Sequence, residues 1–209
     1  QTCALPIFIK ARPRSVGRCL SETGILKMTP QKYQTGDFFP NLTIKTAFHE
    51  DRKVSDILHG KTIFWVLRYI GCPVCRLDVT LIAQRYQEFV QKGAQVFVIM
   101  QSDKEHLRNS MGPTDLPFEI VCDSDQSFYD ALMIRPAASM DALAGTMTDR
   151  LQAKGALADQ YGFTHGDYEG NELQLPALFI VEETRKVLYT HYATELADMP
   201  DIDEVLDLL

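Results

Sequence analysis

The short segment Cys72-Pro73-Val74-Cys75, called the cysteine motif below, constrains the fold of this chain more than any other feature. It follows an apolar run from Thr62 to Ile70 that is rich in β-branched and aromatic residues, which is typical of a central strand covered on both faces. Gly71 ends this run, and apolar residues then recur every three or four positions to about residue 92, which predicts a helix with one buried face. The two cysteines are therefore expected where a strand passes into a helix.

This position should make one of the two thiols reactive. A free cysteine with a pKa of about 8.5 is only slightly ionised at neutral pH, and a helix N-terminus lowers that pKa. Pro73 suits the first helical position, where its missing N–H costs nothing, so Cys72 is predicted to be the N-cap residue. We therefore expect Cys72 to be the nucleophile, open to solvent, and Cys75 to be the more enclosed partner that closes a disulfide with it.

Three other interpretations of the cysteine pair compete with this redox role. A C-x-x-C can be half of a zinc site, but no second cysteine pair and no closely spaced histidine pair completes four ligands, so no metal or cofactor is predicted. The pair can also be two inert buried thiols or a structural disulfide. The strand-to-helix position and Pro73 argue against inert thiols, and a structural disulfide is not expected in a sequence with no sign of export.

Composition narrows the class of protein and its partners. A chain of 209 residues is long enough for one sizeable domain. Its net charge of -7 argues against nucleic acid and anionic membranes as partners. No apolar stretch reaches the length of a membrane span, and five cysteines at irregular spacing are typical of a reducing compartment, so a cytoplasmic location is predicted.

The first 30 residues differ in character from the rest. The apolar segment from Ala4 to Ile9 is too short for a signal-peptide core, and basic residues follow it where they should precede it. We predict that residues 1–30 are a disordered or non-native leader, in which Cys3 and Cys19 have no function and Met28 is a candidate natural start. Residues 31–209 are predicted to form the folded domain.

Alternating strands and helices follow the cysteine motif. A strand from Gln95 to Met100 gives a β-α-β unit and hence a parallel strand pair. The next predicted elements are a helix over 103–110 with Ser102 and Glu105 as a capping box, a strand over 118–122 that buries Cys122, and a helix over 125–133. Near the C-terminus, a hairpin of strands over 175–181 and 187–192 and a helix capped by Asp201 and Glu204 are predicted.

Residues 134–174 are an insertion that this alternation does not require. The spacing of apolar residues behind Ser139 predicts one helix that extends to about residue 151. Glycines from Gly155 onward predict a long loop that covers one edge of the active-site cleft. His165 lies in this loop and is a candidate to face the cysteines.

A C-x-x-C at a strand-to-helix turn, followed far downstream by Pro176 at the start of a hairpin and then by a terminal helix, resembles the thioredoxin fold. Within that fold, most of residues 33–209 are similar to the peroxiredoxin-like branch of the alkyl hydroperoxide reductase and thiol-specific antioxidant (AhpC/TSA) superfamily. The resemblance is carried by Gly-Asp-Phe-Phe-Pro at 36–40, by Gly-Lys at 60–61, and by Pro-Val-Cys at 73–75, which resembles the end of the family's T-x-x-C motif.

The resemblance implies a thioredoxin-like three-layer α/β fold with a central mixed sheet, a peroxiredoxin-like N-terminal extension and a helical insertion before a cis-proline hairpin. It implies that Cys75 is the sulfur that reacts with peroxide and that Pro176 is cis and lies against the dithiol. The chain differs from the family's pattern at two positions, and both differences are toward thioredoxin. Cys72 replaces the family's threonine, and Pro176 stands where the family's peroxide-holding arginine is expected, so two stabilising donors are lost. Arg68 and Arg76 are candidates to replace them in positioning the substrate.

The sequence thus predicts an enzyme, a thiol-disulfide oxidoreductase that cycles between a dithiol and a Cys72–Cys75 disulfide. One alternative is a thiol peroxidase that reduces hydrogen peroxide or alkyl hydroperoxides through a sulfenic acid at Cys75 or Cys72. Another is a non-catalytic binding module of thioredoxin fold. The expected partners are a protein or small-molecule disulfide, or a peroxide, together with a thiol reductant.

Overall fold

A mixed five-stranded sheet is the centre of residues 31–209, the part of the chain that the computed structural model describes. In chain order the strands are β1 (Thr43–Ile44), β2 (Arg52–Lys53), β3 (Lys61–Val66), β4 (Ala94–Met100), β5 (Glu119–Cys122), β6 (Ala177–Glu182) and β7 (Val187–Tyr192). The helices are α1 (Val54–Ile57), α2 (Pro73–Gln84), α3 (Tyr86–Gln91), α4 (Lys104–Ser110), α5 (Ser127–Ala131), α6 (Met140–Ala144), α7 (Thr148–Gln160) and α8 (Ile202–Asp207). The sheet order is β5-β4-β3-β6-β7, with β1 and β2 paired separately.

Strand β3 is central because its side chains are apolar on both faces. Ile63 and Trp65 belong to one core, which includes residues of α2, α3, α4 and α8, while Phe64 and Val66 belong to a second core with residues of α1 and α5. Strand β3 is parallel to β4 and antiparallel to β6. Helices therefore cover both faces of a mixed sheet, and the predicted thioredoxin-like three-layer class is confirmed. The strand ends at Val66 and not at Ile70 as predicted.

The segment after β3 lies outside the sheet, yet its buried backbone N–H groups are still hydrogen-bonded. Leu67 still donates its backbone N–H to Ile99 of β4, at 2.9 Å. Ile70 donates its backbone N–H to the hydroxyl of Ser102, also at 2.9 Å. Ser102 is therefore not the cap of α4 as predicted; Asp103 is, and its carboxylate accepts from the backbone N–H of His106.

The helix of the cysteine motif is interrupted, although the sequence predicts one helix to about residue 92. Helix α2 ends before Arg85, and α3 begins after it. The guanidinium of Arg85 pairs with Glu88 and with Asp203 of α8, each at 2.7 Å. The spacing of apolar residues carries no information about these polar contacts.

The insertion contains two helices where one was predicted. Gly145 separates α6 from α7 with a φ of +68°, a left-handed conformation that favours glycine. Gly155 lies inside α7 and does not begin a loop. The side chain of Lys154 on α7 pairs with the buried carboxylate of Asp78 on α2 at 2.7 Å, so α7 is held against the cysteine-motif helix. The loop that follows α7 is consequently shorter than predicted.

The remaining predicted elements are present in the structure. Strands β6 and β7 form the expected antiparallel hairpin, and Glu204 accepts the backbone N–H of Asp201 at the start of α8. Cys122 is a buried residue of β5, and burial raises its pKa to about 12. The leader, with Cys3, Cys19 and Met28, lies outside the described residues.

Two kinds of feature are absent from residues 31–209. None of the helices there combines the length and the apolar character needed to cross a membrane. In the same range, no three or more His, Cys, Asp or Glu side chains gather into a group that could hold a metal ion.

Candidate active site

Cys72 is the N-cap residue of α2, as the sequence predicts, and Pro73 begins the helix. The backbone N–H of Arg76 donates to the carbonyl of Cys72 at 3.0 Å and closes the first turn. The unpaired N–H groups of that turn place the positive end of the helix dipole beside the motif sulfurs. Cys72 and Cys75 are both free thiols in the structure.

The pKa values of the two motif thiols are shifted in opposite directions. The hydrogen bond from Cys75 is the main reason that the pKa of Cys72 is lowered to about 6; the charge of Arg68 and the backbone N–H groups of Val74 and Cys75 lower it further, against the effect of burial. Burial raises the pKa of Cys75, and the charge on Cys72 adds to this. At neutral pH the arrangement is therefore a Cys72 thiolate that accepts a hydrogen bond from a Cys75 thiol.

The buried side chain of Arg68 is the cation nearest to this pair of sulfurs among the arginines proposed from sequence. Its exposed fraction is only 5%, and its Nη1 donates to the sulfur of Cys72 at 3.6 Å. Its Nη2 donates to the carbonyl of Glu172 and, at 3.4 Å, to the hydroxyl of Tyr69. Its Nε is buried without a partner among the described residues. Arg68 can therefore stabilise negative charge on Cys72, and its Nε remains an unused donor within the described residues.

A residue that the sequence analysis missed, Tyr69, connects this arginine to the insertion. Its buried hydroxyl lies 3.1 Å from Nε2 of His165. Because Nδ1 of His165 lies 2.7 Å from the carbonyl of Gly166 and donates to it, Nε2 is the acceptor for the tyrosine O–H. His165 thus reaches the site through Tyr69 and Arg68 and does not face the sulfurs directly. A phenolic hydroxyl within an otherwise apolar run was the available signal.

Residues 163–170, called the covering loop below, lie over the cysteine motif. The backbone N–H of Gly166 donates to the carbonyl of Gly71 at 2.8 Å. Both motif cysteines have an exposed fraction of 2%, so the expectation that Cys72 is open to solvent is wrong. The physical reason is long-range: a loop far downstream covers the strand-to-helix turn, and local spacing does not reveal such a contact.

We expect that replacing Gly71 by alanine displaces the covering loop. A Cβ at this position would lie 2.2 Å from the backbone oxygen of Asp167, far inside van der Waals contact. The exposed Cys72 should then be alkylated by iodoacetamide about fivefold faster, because loop opening limits access. Peptide mass spectrometry at fixed times measures this rate.

The matched control is Gly155→Ala, since a Cβ there meets no atom within 4 Å. This variant should be alkylated at the wild-type rate. Equal rates in Gly71→Ala and wild type would contradict the role given to the covering loop.

Pro176 is trans, since residues 31–209 contain no cis peptide bond, and the cis conformation implied by the family resemblance is therefore wrong. Gln174 forms a bridge with Pro136, and the chain then enters β6 at Ala177 without a turn that would need a cis bond. Ala177 pairs with Val66 at the end of β3. Pro176 is nevertheless buried at the same end of the sheet as the cysteine motif.

The second arginine proposed from sequence, Arg76, lies one helical turn beyond Cys72 and points elsewhere. Its guanidinium lies 4.5 Å from the centre of the Phe163 ring and makes no hydrogen bond to either motif sulfur. Arg76 instead lines a cleft of about 440 Å³ next to the motif. The structure therefore brings Arg68, but not Arg76, to the reactive sulfur.

Comparison with known proteins gives a consistent picture. A family model described as the AhpC/TSA family matches residues 35–190. No curated protein matches the chain. Among solved structures, a peroxiredoxin-like protein from Aquifex aeolicus is similar, with a TM-score of 0.59 at 13% identity over 85% of this chain and 86% of that one.

Two further solved structures have a similar fold. A reduced 2-Cys peroxiredoxin from Plasmodium vivax has a TM-score of 0.59 at 11% identity over 82% of this chain and 78% of its own. The peroxidoxin BcpB from Mycobacterium tuberculosis has a TM-score of 0.57 at 12% identity over 83% and 94%, respectively. At these identities the likeness shows the architecture alone.

Proposed function

The chain belongs to the AhpC/TSA family, and on that premise we propose that it is a thiol-disulfide oxidoreductase that cycles between the Cys72/Cys75 dithiol and a Cys72–Cys75 disulfide. The observation that carries this proposal is the environment of Cys72: it is a helix N-cap whose sulfur accepts hydrogen bonds from the Cys75 thiol and from a buried arginine. An ionised sulfur beside a protonated one is the pair that disulfide exchange requires.

In the proposed reaction the Cys72 thiolate attacks one sulfur of a disulfide and forms a mixed disulfide, and the first thiolate leaves. The Cys75 thiol then loses its proton to a departing thiolate and attacks the sulfur of Cys72, which expels the second thiolate. Stabilisation of the Cys72 thiolate also favours the reduced form of the pair, because a thiolate that is stabilised makes the corresponding disulfide easier to reduce. A thiol reductant regenerates the dithiol by the reverse exchange.

A thiol peroxidase is the second candidate, and the buried Nε of Arg68 favours it. This donor has no partner among the described residues and belongs to the arginine that contacts the sulfur of Cys72. It is therefore available to hydrogen-bond a peroxide oxygen on which charge develops. The Cys72 thiolate would attack one peroxide oxygen and break the O–O bond, and the other oxygen would leave as hydroxide or alkoxide and take up a proton to give water or an alcohol. The resulting sulfenic acid would condense with the Cys75 thiol and release water. In this scheme Cys72, and not Cys75 as the resemblance implied, reacts with peroxide.

The two candidates are separated by the oxidant that the reduced protein prefers. We expect hydroxyethyl disulfide to convert the motif to a Cys72–Cys75 disulfide faster than an equal concentration of hydrogen peroxide does. In Cys75→Ser, the same disulfide should stop at an adduct on Cys72, because no second thiol can displace the product. Peptide mass spectrometry identifies both products; Cys3 and Cys19 are replaced by serine throughout, so that the buried Cys122 is the one thiol left besides the motif.

The control is Cys122→Ala, which removes a buried thiol of β5 and should leave both products unchanged. Faster oxidation by peroxide would establish the peroxidase. A wild-type protein that reacts with neither oxidant would leave only the binding module.

A further inference from the structure

The cleft beside the cysteine motif has the size and position of a small-molecule site. Its volume of about 440 Å³ lies within the range of ligand pockets in proteins. It is lined by Gly71 and Arg76 and by Phe163, Gly166 and Asp167 of the covering loop. Because the same loop lies over the motif sulfurs, a molecule in this cleft lies beside the path by which they become accessible.

The N–H donors of the Arg76 guanidinium are not used by any side chain within residues 31–209. Its guanidinium lies over the ring of Phe163, and within residues 31–209 it forms no ion pair and no side-chain hydrogen bond, even though Asp167 lines the same cleft. Other arginines in this part of the chain are paired with carboxylates, namely Arg52, Arg85, Arg135 and Arg150. The planar guanidinium matches a carboxylate through two parallel hydrogen bonds, and the aromatic ring holds it in place for that contact.

The rest of the cleft suits a short carbon chain attached to such a carboxylate. Apolar side chains line it, namely Ile70, Val79, Met111 and Leu116, together with the polar side chains of Thr80, His106 and Ser110. The chain as a whole carries a net charge of -7 and repels small anions. A cation that has no carboxylate partner within residues 31–209, in the cleft beside the motif, therefore changes which small molecules can approach the dithiol.

We infer that this cleft selects low-molecular-weight disulfides that carry a carboxylate, with Arg76 holding the carboxylate while the S–S bond reaches the dithiol. This inference rests on the proposed function. The Cys72 thiolate bonds to one sulfur of R–S–S–R, the S–S bond breaks and one thiolate leaves. Cys75 then bonds to Cys72, releases its proton to a leaving thiolate and expels the second one, so that the dithiol is oxidised and the disulfide is reduced to two thiols.

The test compares a carboxylate-bearing disulfide, dithiodiglycolate, with the neutral hydroxyethyl disulfide in wild type and in Arg76→Gln. Rates of Cys72–Cys75 disulfide formation are measured with Cys3 and Cys19 replaced by serine. We expect Arg76→Gln to slow the reaction with dithiodiglycolate about fivefold, as loss of a bidentate charged contact implies, and to leave the neutral reaction unchanged. For each disulfide the wild-type rate is divided by the Arg76→Gln rate. Comparing the two quotients cancels the intrinsic reactivity of each disulfide. Arg85→Gln, which removes the same charge just beyond the C-terminal end of α2, should change neither rate.

An equal slowing of both reactions by Arg76→Gln would overturn the inference, because it would mean that the arginine acts on the thiols and not on the ligand. A binding measurement separates this failure from failure of the proposed function. The Cys72→Ser/Cys75→Ser variant cannot exchange disulfides, yet calorimetry should detect dithiodiglycolate binding that Arg76→Gln weakens by about fivefold. Absence of that binding would also overturn the inference, whereas binding without exchange in the wild type would support the cleft and refute the reaction.

Discussion

Replacement of Cys72 by serine should slow disulfide exchange at pH 7 by at least about 100-fold. With a pKa of about 6, Cys72 is mostly ionised at this pH. The remaining motif thiol, Cys75, has its pKa raised by burial, so very little of it is thiolate at pH 7. The measurement is the rate of thiol loss with hydroxyethyl disulfide, resolved by cysteine through mass spectrometry.

The same variant distinguishes the two motif sulfurs as peroxide nucleophiles. In Cys75→Ser, peroxide should still oxidise Cys72 rapidly, and the reaction should stop at the sulfenic acid because no second thiol can condense with it. Rapid peroxide consumption by Cys72→Ser would contradict the assignment and would give Cys75 the role that the family resemblance first implied. Circular dichroism on both serine variants verifies that the fold is retained.

Replacement of Arg68 by methionine is expected to raise the pKa of Cys72 from about 6 to about 7 or 8, as loss of a nearby opposite charge does. The wild-type rate of alkylation should increase as pH rises through about 6 and then level off. In the variant this increase should occur at higher pH, so at pH 5 the thiolate fraction falls by about 10- to 100-fold. A more basic thiolate is intrinsically more reactive, so the alkylation rate at pH 5 should fall only about tenfold.

Two controls locate the cause of this change. Arg68→Lys keeps a positive charge and should shift the titration less than methionine does. Arg76→Met removes a guanidinium that makes no hydrogen bond to the motif sulfurs and should leave the Cys72 titration in place. An unchanged midpoint in Arg68→Met would mean that Cys75 and the helix N-terminus alone set the acidity of Cys72. Thiolate absorbance in the ultraviolet measures the midpoint directly.

The local sequence pattern was sufficient to predict the strand and the helix that flank the cysteine motif. The β-branched and aromatic run at 62–66 is a central strand because each of its faces meets a core, and Pro73 starts α2 because a helix N-terminus has no use for its missing N–H. The parallel partner β4 and the C-terminal hairpin follow from the same alternation of apolar and turn residues. These features depend on neighbours in sequence.

Contacts between distant segments were predictable only in outline: a long loop over one edge of the cleft was expected, but the contacts that it makes were not. The covering loop reaches Gly71 through a backbone hydrogen bond, and Tyr69 reaches His165 through its hydroxyl; both contacts depend on how the insertion folds back over the sheet. Arg85, at the break between α2 and α3, pairs with Asp203, which is far along the chain. The cis conformation of Pro176 was carried over from the family resemblance, and the straight entry of the chain into β6 does not require it.

The hydrogen bond between Gly166 and Gly71 has a consequence for the timing of the reaction. A sulfur that stays anionic in neutral solution would be consumed by any electrophile that collides with it, whereas one beneath a closed segment is available only during brief openings. The frequency of those openings then sets a ceiling on turnover that no increase in oxidant concentration can exceed. Such gating lowers the reaction rate but increases selectivity, because a molecule already bound beside the covering loop is favoured over one that must arrive from bulk water.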